Sequence, residues 1–527
     1  MQGITINDAS CIPRSGGDVD GQSTTQLTED RPSSFNKDVS QINALEKGAK
    51  DVLHELNSLW NPLQLVHRLP PEVIALCATF ASHADPRPIV SLTHVCRYWR
   101  EAIISNPGNW TSISSGWKRL IPLCLERAGA VPLTVKITAS DIKGHQNFQE
   151  ALPTHVSRIS HLSLTGYSSI EDLADDLPGF FALTLPNLTS LELERAKRPT
   201  RSSPSNETPM LPLFQGVSKL KSLHLTRVPL YPALYNITSL VELKLAVGTI
   251  PFRGLIGLLE SNVALEILVL DLGFTESSVW TVPETEISLP RLRHLEFTCR
   301  NTTDARGLFS SVSFPRGVHI TVQGSQSNPP YAELAAFLPS PPTRIQALLT
   351  PITTIKHWDS PRQLYLSSPG GTFHFHRPVH VTPTICEEFK LFATGVVREF
   401  HLNLNDEYPV SRLPVIWLLK RLPALEALII SGNTPRSGAL FPLAEKPVIC
   451  PSLKTIAFFN CKGLGDLIPE LGKVLEKRAR SIAARLHRVV VVAGDGFDLP
   501  HIHWIRELQK LAPRVDIGFG DKLPDLL

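Results

Sequence analysis

One spacing recurs along most of this 527-residue chain and limits what it can fold into. Three large apolar residues stand as apolar-x-x-apolar-x-apolar at Leu188/Leu191/Leu193, Leu220/Leu223/Leu225, Leu240/Leu243/Leu245, Leu265/Leu268/Leu270 and Leu292/Leu295/Phe297. The pattern returns at Val397/Phe400/Leu402, Leu425/Leu428/Ile430 and Leu453/Ile456/Phe458, and Ile159/Leu162/Leu164 reads as an earlier copy. The last two residues of each copy alternate with a neighbour that is free to vary, the period of a strand with one face buried. The first closes the preceding segment inward. Successive starts from 159 to 292 are 29, 32, 20, 25 and 27 residues apart, and the later ones 28 and 28. A unit that cannot bury its own apolar face and recurs at such a period stacks on its neighbours. The expectation is a solenoid over 155–527 with a parallel sheet on its concave side. The alternative is an ordinary α/β domain with leucine-rich strands.

The periods resemble those of leucine-rich repeats. Helical stretches such as "FRGLIGLLESN", "VSRLPVIWLLKRLP" and "LGDLIPELGKVLEKRARSIAARL" precede strands directly, giving a helix–turn–strand unit. Residues 300–390 carry the weakest copies, with "GVHITV" and "RQLYLSS" as degenerate strands. By the strand period, the residue between the last two apolar positions of each copy faces away from the core. These residues are Glu192, His224, Lys244, Val269, Glu296, His401 and Ile429, with Ala457 after them. They are the expected target-binding face, while the residues just before the inner leucines, such as Ser190, Glu242 and His294, are left out of it. Ile429 and Ala457 read either as an exposed apolar patch or as a surface capped by "HIHWIRELQKLAPRV".

The front of the chain has a different texture. Residues 1–40 are rich in Ser, Thr, Asp, Gly and Pro and are expected to be disordered. Over 41–62, Ile42, Leu45, Ala49, Val52, Leu56 and Leu59 recur at three and four residues, an amphipathic helix ended by Asn61-Pro62. Fewer than three to four heptads are present, so packing on the next module is expected over a coiled-coil dimer. "LPPEV" follows from Leu69. Proline suits a first helical turn, and Glu72 complements the positive helix end. "LTHVCRYWREAI" and "NPGNW" complete three short helices, a core too small to be comfortable alone.

These stretches resemble the F-box, and "WKRLIPLCLERAGAVPLTVKI" resembles the segment that follows it in a large fungal group of such proteins. The resemblance covers about 63–137. It implies a small all-α F-box at 63–113, then a connecting helix and strand at 114–154. The whole chain is accordingly read as α/β, an all-α front before a leucine-rich-repeat-like solenoid. The resemblance further implies docking to a Skp-family adaptor, and through it a cullin, by Leu69, Pro70, Pro71, Glu72, Val73, Val95, Cys96, Arg97 and Trp99. A chain of this kind is the substrate-recognition subunit of an SCF-type (Skp, cullin, F-box) ubiquitin ligase, its repeats holding a target protein. The other reading is a repeat scaffold outside any ligase.

No catalytic motif offers a competing function. G-x-S-x-G, a P-loop and G-x-G-x-x-G after a strand are missing, and "AGDGFD" (Ala493–Asp498) reads as a turn. His374, His376 and His380 lie near one another without a Cys or carboxylate close by, and read as surface histidines, as do His501 and His503. No metal and no cofactor are expected, and no enzymatic activity. The formal net charge of +3 gives no electrostatic footprint for nucleic acid. "RAKRPTRSS" (Arg195–Ser203) reads as a solvated loop and "KVLEKRAR" (Lys473–Arg480) as a helix with a solvated face. The eight cysteines lack C-x-x-C spacing, which favours a reducing compartment. The first residues show no signal-peptide pattern and no run approaches a membrane span. The expected location is cytoplasmic, nuclear or both.

Overall fold

A computed structural model of the chain describes residues 33–60, 68–82, 87–117, 119–142, 152–167, 184–196, 217–228, 232–247, 250, 252–272, 286–299, 302–324, 337–339, 350, 352–359, 362–369, 371–377, 394–404, 417–433, 440, 443, 448–462, 464–480, 485–493, 506, 508–510 and 512–519. Residues 1–32, His380, His501 and His503, 197–203 and 494–498 lie outside these, so the expectations placed on them are not addressed by it.

Four helices come first: α1 (Ser33–Trp60), α2 (Pro71–Ser82), α3 (Arg87–Thr93) and α4 (Arg97–Ile104). The start of α1 corrects the expected boundary, because residues 33–40 are helical rather than part of a disordered arm. Its apolar side chains also correct the expected packing: from Val39 to Trp60 they are exposed and do not rest on the next module.

Strands, numbered in chain order, begin with β1 (Ser112–Ser114), β2 (Leu133–Thr138), β3 (Ile159–Tyr167), β4 (Ser190–Arg195), β5 (Ser222–Thr226), β6 (Glu242–Val247) and β7 (Ile267–Leu272). A short side pair, β8 (Ile287–Ser288) with β10 (Val312–Ser313), flanks β9 (His294–Cys299) and β11 (Val318–Gly324). The rest are β12 (Thr354–Asp359), β13 (Arg362–Ser368), β14 (Gly371–Arg377), β15 (Glu399–Leu404), β16 (Ala427–Asn433), β17 (Thr455–Lys462), β18 (Arg488–Ala493) and β19 (Arg514–Phe519).

Seventeen of these strands make one sheet. It runs in parallel from β1 through β7 to β9 and β11, and again from β12 through β15 to β19. The sheet therefore begins at Ser112, inside the segment expected to precede the solenoid. Between the two parallel runs lies an inversion. β14 pairs with β11 in parallel, β13 is antiparallel to both β14 and β12, and β12 meets β15. The chain leaves β11, places β12 three strands away, and returns through two hairpins before continuing outward. Gly371 makes the close pairing with β11 possible: its φ is +145°, and a Cβ there would stand 2.5 Å from the Val318 carbonyl oxygen.

The repeat spacing has a direct cause. At the first apolar residue of several copies the backbone N–H closes a turn onto the residue three before it, as in Leu188→Leu185 (3.1 Å), Leu265→Asn262 (3.1 Å) and Leu453→Cys450 (3.1 Å). The next residue then bonds the equivalent residue of the preceding copy. The series Thr189→Ser160, Lys221→Thr189, Val241→Lys221, Glu266→Val241 and Arg293→Glu266 has N···O distances of 2.7–2.8 Å. Register is locked at the strand entry, and the two inner apolar residues of every copy fall in line. Leu191, Leu223, Leu243, Leu268 and Leu295 are paired neighbours and all buried.

Helices cover the inner face. Phe252–Ser261 packs so tightly on the Pro232–Asn236 turn that a Cβ on Gly254 would sit 2.2 Å from the Tyr235 hydroxyl. Helix Leu464–Ala479 corrects one expectation, since Arg478 does not belong to a solvated face. It is buried, and its guanidinium donates to the carbonyls of Leu443 (3.2 Å), Ile449 (3.0 Å) and Cys450 (2.9 Å). Burial lowers its pKa. One apolar cluster runs without interruption from Ile74 and Ile103 of the front helices to Leu508 and Ala512. The small helical front thus completes its core against the first repeats.

Candidate functional site

Two surfaces stand out. The first is on the front helices. Cys96 caps α4, its sulfur accepting from the Trp99 N–H at 3.5 Å, and Tyr98 Oη donates to the Leu69 carbonyl at 2.8 Å. Arg100 Nε donates to the Thr93 carbonyl at 2.9 Å. Asn109 Nδ2 and Trp110 Nε1 both donate to the Ile103 carbonyl, at 3.1 and 3.2 Å, and the Arg127 guanidinium lies 4.4 Å over the Trp110 ring. "NPGNW" is therefore the clasp between the helices and the sheet.

With Ile74, Ala75 and Ala78 turned inward, the other side of α2 is left apolar and open. Leu69, Val73, Leu76, Phe80 and, from the α3–α4 corner, Val95 are 37–74% exposed. Among the residues singled out from sequence, Leu69, Pro70, Pro71, Glu72, Val73 and Val95 lie on the surface. Arg97 is exposed and pairs with Glu101 at 2.7 Å, an interaction that raises its pKa through the hydrogen bond and charge of that carboxylate. Cys96 and Trp99 do different work. Cys96 is the helix cap, and Trp99 packs against the core with its indole N–H buried and unbonded among the described residues. Leu76 and Phe80, which share the apolar face of this helix with Val73 by their spacing, were not among the docking residues expected from sequence.

The second surface is the open face of the sheet. The alternating residues picked from sequence do form one row, Glu192 beside His224, Lys244, Val269 and Glu296, and His401 beside Ile429. The inverted strands fill the gap between Glu296 and His401 with Thr321, His374, Tyr365 and Lys356. These were missed because antiparallel β13 does not carry the repeat spacing. Leaving out the residues two earlier was also mistaken. A strand's side chains share a face at i and i+2, so Ser222, Glu242, His294 and Glu399 belong to this surface.

The row is polar and locally neutralised. Glu242 accepts from Lys244 Nζ at 2.6 Å and from Ser222 Oγ at 2.9 Å, with His224 Nε2 at 3.4 Å. Burial pushes its carboxyl up, but these partners outweigh it and hold the pKa below the ordinary value. Glu399 is lowered chiefly by its short hydrogen bond with His401, with Lys356 adding to it. Gln323 Nε2 donates to Glu296 at 3.1 Å, and His319 Nδ1 lies 2.7 Å from Thr372 Oγ1. The His374 and His376 rings lie with centroids 3.9 Å apart and planes tilted by 52°, and His376 Nε2 is 3.1 Å from His374 Nδ1. Burial and then the neighbouring His376 lower the His374 pKa to about 4. Among the described residues, no group of three His, Cys, Asp or Glu is placed to hold a metal ion. No described helix is long and apolar enough to cross a membrane.

Of the two readings of Ile429, the exposed patch does not hold. Ile429 is 2% exposed, in a second apolar cluster with Ala457, Val490 and Val492, against which Phe459 packs. It is a buried residue of this end of the sheet and not an accessible contact. An open cleft of about 440 Å³ lies at the strand-entry edge, lined by Arg291, Arg293 and Arg316, with Arg293 3.7 Å from Glu266.

No family model matches the sequence, and no curated protein matches it. Among solved structures it is similar to the complex of Rad7 and Elc1 in yeast, at 13% identity over 79% of this chain and 97% of that one. The TM-score is 0.23, too low for that likeness to bear on fold or function.

Proposed function

We propose that the chain is a substrate-recognition subunit of an SCF-type ubiquitin ligase. The front helices dock a Skp-family adaptor, and through it a cullin, while the open face of the sheet holds a target protein. The reading rests on one observation: Leu69, just before α2, and Val73, Leu76 and Phe80 on it are presented to solvent among the residues that resemble the F-box. Burying a large apolar side chain stabilises a complex by roughly 1.5–3 kcal/mol relative to leaving it exposed, so such a face favours a partner. The chain then has no active site of its own and contributes proximity and orientation. The polar, charge-balanced open face fits a protein surface better than a phosphate backbone, which calls for a basic stripe. This work would take place in the cytoplasm, the nucleus or both.

The test is co-expression of the full chain with a Skp-family adaptor. Leu69→Ala with Phe80→Ala removes central apolar anchors, which typically cost at least about 2 kcal/mol each. Capture of the adaptor by wild type and its loss in the double variant, with unchanged melting, supports the reading. Equal capture by both rejects it. No capture by wild type leaves the scaffold reading in its place.

A further inference from the structure

The widest uncovered apolar surface among the described residues is on α1, not on the sheet. From Val39 to Trp60 its eight large apolar side chains are 42–74% exposed. In proteins most helical stability comes from packing an apolar face, and that of α1 is left uncovered. We infer that α1 is a self-association helix, pairing in parallel with α1 of a second copy of this chain. This goes beyond the adaptor reading and does not depend on it.

Four features select a second copy as the occupant. First, the stripe follows a heptad. Ile42, Ala49 and Leu56 repeat every seven residues, and Leu45, Val52 and Leu59 do the same three residues on. That is the 3.5-residue period of a seam between helices, and it is self-complementary. Second, the opposite side is polar, with Lys47, His54 and Asn57, and Lys50 there bonds back to Glu46 at 2.6 Å. Third, the amount of surface fits. Eight large side chains exposed to this degree approach the roughly 800 Å² that one partner gives to a stable interface. Fourth, the flanks match in a parallel pair. There the residue one before Ala49 faces the residue one after Val52 of the other helix. These are Gly48 and Leu53, and Gly48 has open space where a Cβ would stand. Leu53 of the second copy fills it. Both helical fronts then lie at the same end of the pair, at the Trp60 side, leaving two sheets free for targets.

The experiment uses the full chain. Sedimentation equilibrium across micromolar concentrations should show a monomer–dimer equilibrium. Replacing Leu45, Val52 and Leu56 together by Ala should raise the dimer Kd at least about 100-fold. Alanine has the highest helix propensity, so an unchanged far-ultraviolet circular dichroism signal excludes loss of the helix as the cause. In a separate variant, Ala49→Cys, mild oxidation should trap a covalent dimer at that position that wild type does not form. A monomeric wild-type chain overturns the inference, as does a triple variant that dimerises like wild type. A dimer without the Ala49→Cys cross-link overturns the parallel arrangement.

Discussion

The front helices and the repeat sheet treat apolar residues in opposite ways. In the sheet, each copy points its large apolar residues to one side, where the next copy covers them, and the polar residues of the open face pair among themselves. In α1 and α2 the largest apolar residues are the exposed ones, while the inward positions of α2 are Ile74, Ala75 and Ala78. A repeat array can cover its own surface because every unit has a neighbour. The helices α1 and α2 have no such neighbour on their outer side, and those faces stay uncovered. Apolar residues therefore mean stability in the sheet and, on the readings proposed above, association at the front.

Ile429→Glu gives the largest expected effect and the severest challenge to that contrast, because Ile429 lies on the side of the sheet that is elsewhere open. Placing an unpaired carboxylate among Ala457, Val490 and Val492 should cost several kcal/mol, as burial of an unpaired charge does. Thermal unfolding would show it as a large fall in Tm. Unchanged melting would return Ile429 to the binding face.

Leu243→Ala comes next, with Phe80→Ala as its counterpart. The first should cost about 2–5 kcal/mol, since it leaves a cavity in the buried row between Leu223 and Leu268. The second should stay within about 0.5 kcal/mol in the isolated chain, because its ring is already in water. Denaturant titration of both decides it, and equal losses would erase the distinction between the two regions.

How much of this was readable beforehand depends on the repeat. Where Leu188-x-x-Leu191-x-Leu193 and its copies hold, the strands, their buried side and even cross-strand neighbours such as Glu192 and His224 follow from spacing alone. Where the spacing fails, so does the reading. β12–β14 reverse direction, and no local signal says that Tyr365 pairs with Lys356 and His374. Arg478 looked solvated because its sequence neighbours are charged. Its burial depends on carbonyls contributed by residues 28 to 35 positions earlier. Cys96 and Trp99 matched a motif, but motif matching does not separate a cap or a core residue from a contact. The exposure of α1 was the reverse case: its pattern was plain, and what it lacked was a surface to pack on.

A smaller effect is expected at Gly254. Alanine raises helix propensity by about 1 kcal/mol, which would stabilise the Phe252–Ser261 helix at Gly257, where a Cβ meets nothing within 4 Å. At Gly254 the added Cβ meets the Tyr235 ring, so Gly254→Ala should instead lose about 1–3 kcal/mol by overpacking. Urea midpoints of Gly254→Ala and Gly257→Ala should therefore move in opposite directions. A gain in both would mean that the Phe252–Ser261 helix is not held against its turn.

The smallest expected effect is in acid and belongs to the sheet alone. His374 on β14 faces His376 and Tyr365, with Glu296 close enough to raise His376, and its Nε2 is 3.3 Å from Gln363 Oε1. Its pKa in the folded chain is about 4, against 6.5 for an unperturbed imidazole. Above pH 6.5 both folded and unfolded forms are neutral there, and the residue has no influence on the pH dependence. Between 6.5 and 4 the unfolded chain takes up a proton that the folded chain refuses, so stability falls as the pH falls. His376, also lowered by burial, acts in the same direction. His374→Gln keeps a polar group beside Gln363 and removes the titration. The Tm of this variant should therefore decline less than that of wild type between pH 6.5 and 4, while the two curves run parallel above pH 7. Adaptor capture at pH 7 should be the same for both, because the substitution leaves the exposed face of α2 untouched. Parallel curves across the whole acid range would mean that His374 is protonated as easily in the folded sheet as in water, and that this stretch of the open face is wetter than its close contact with His376 implies.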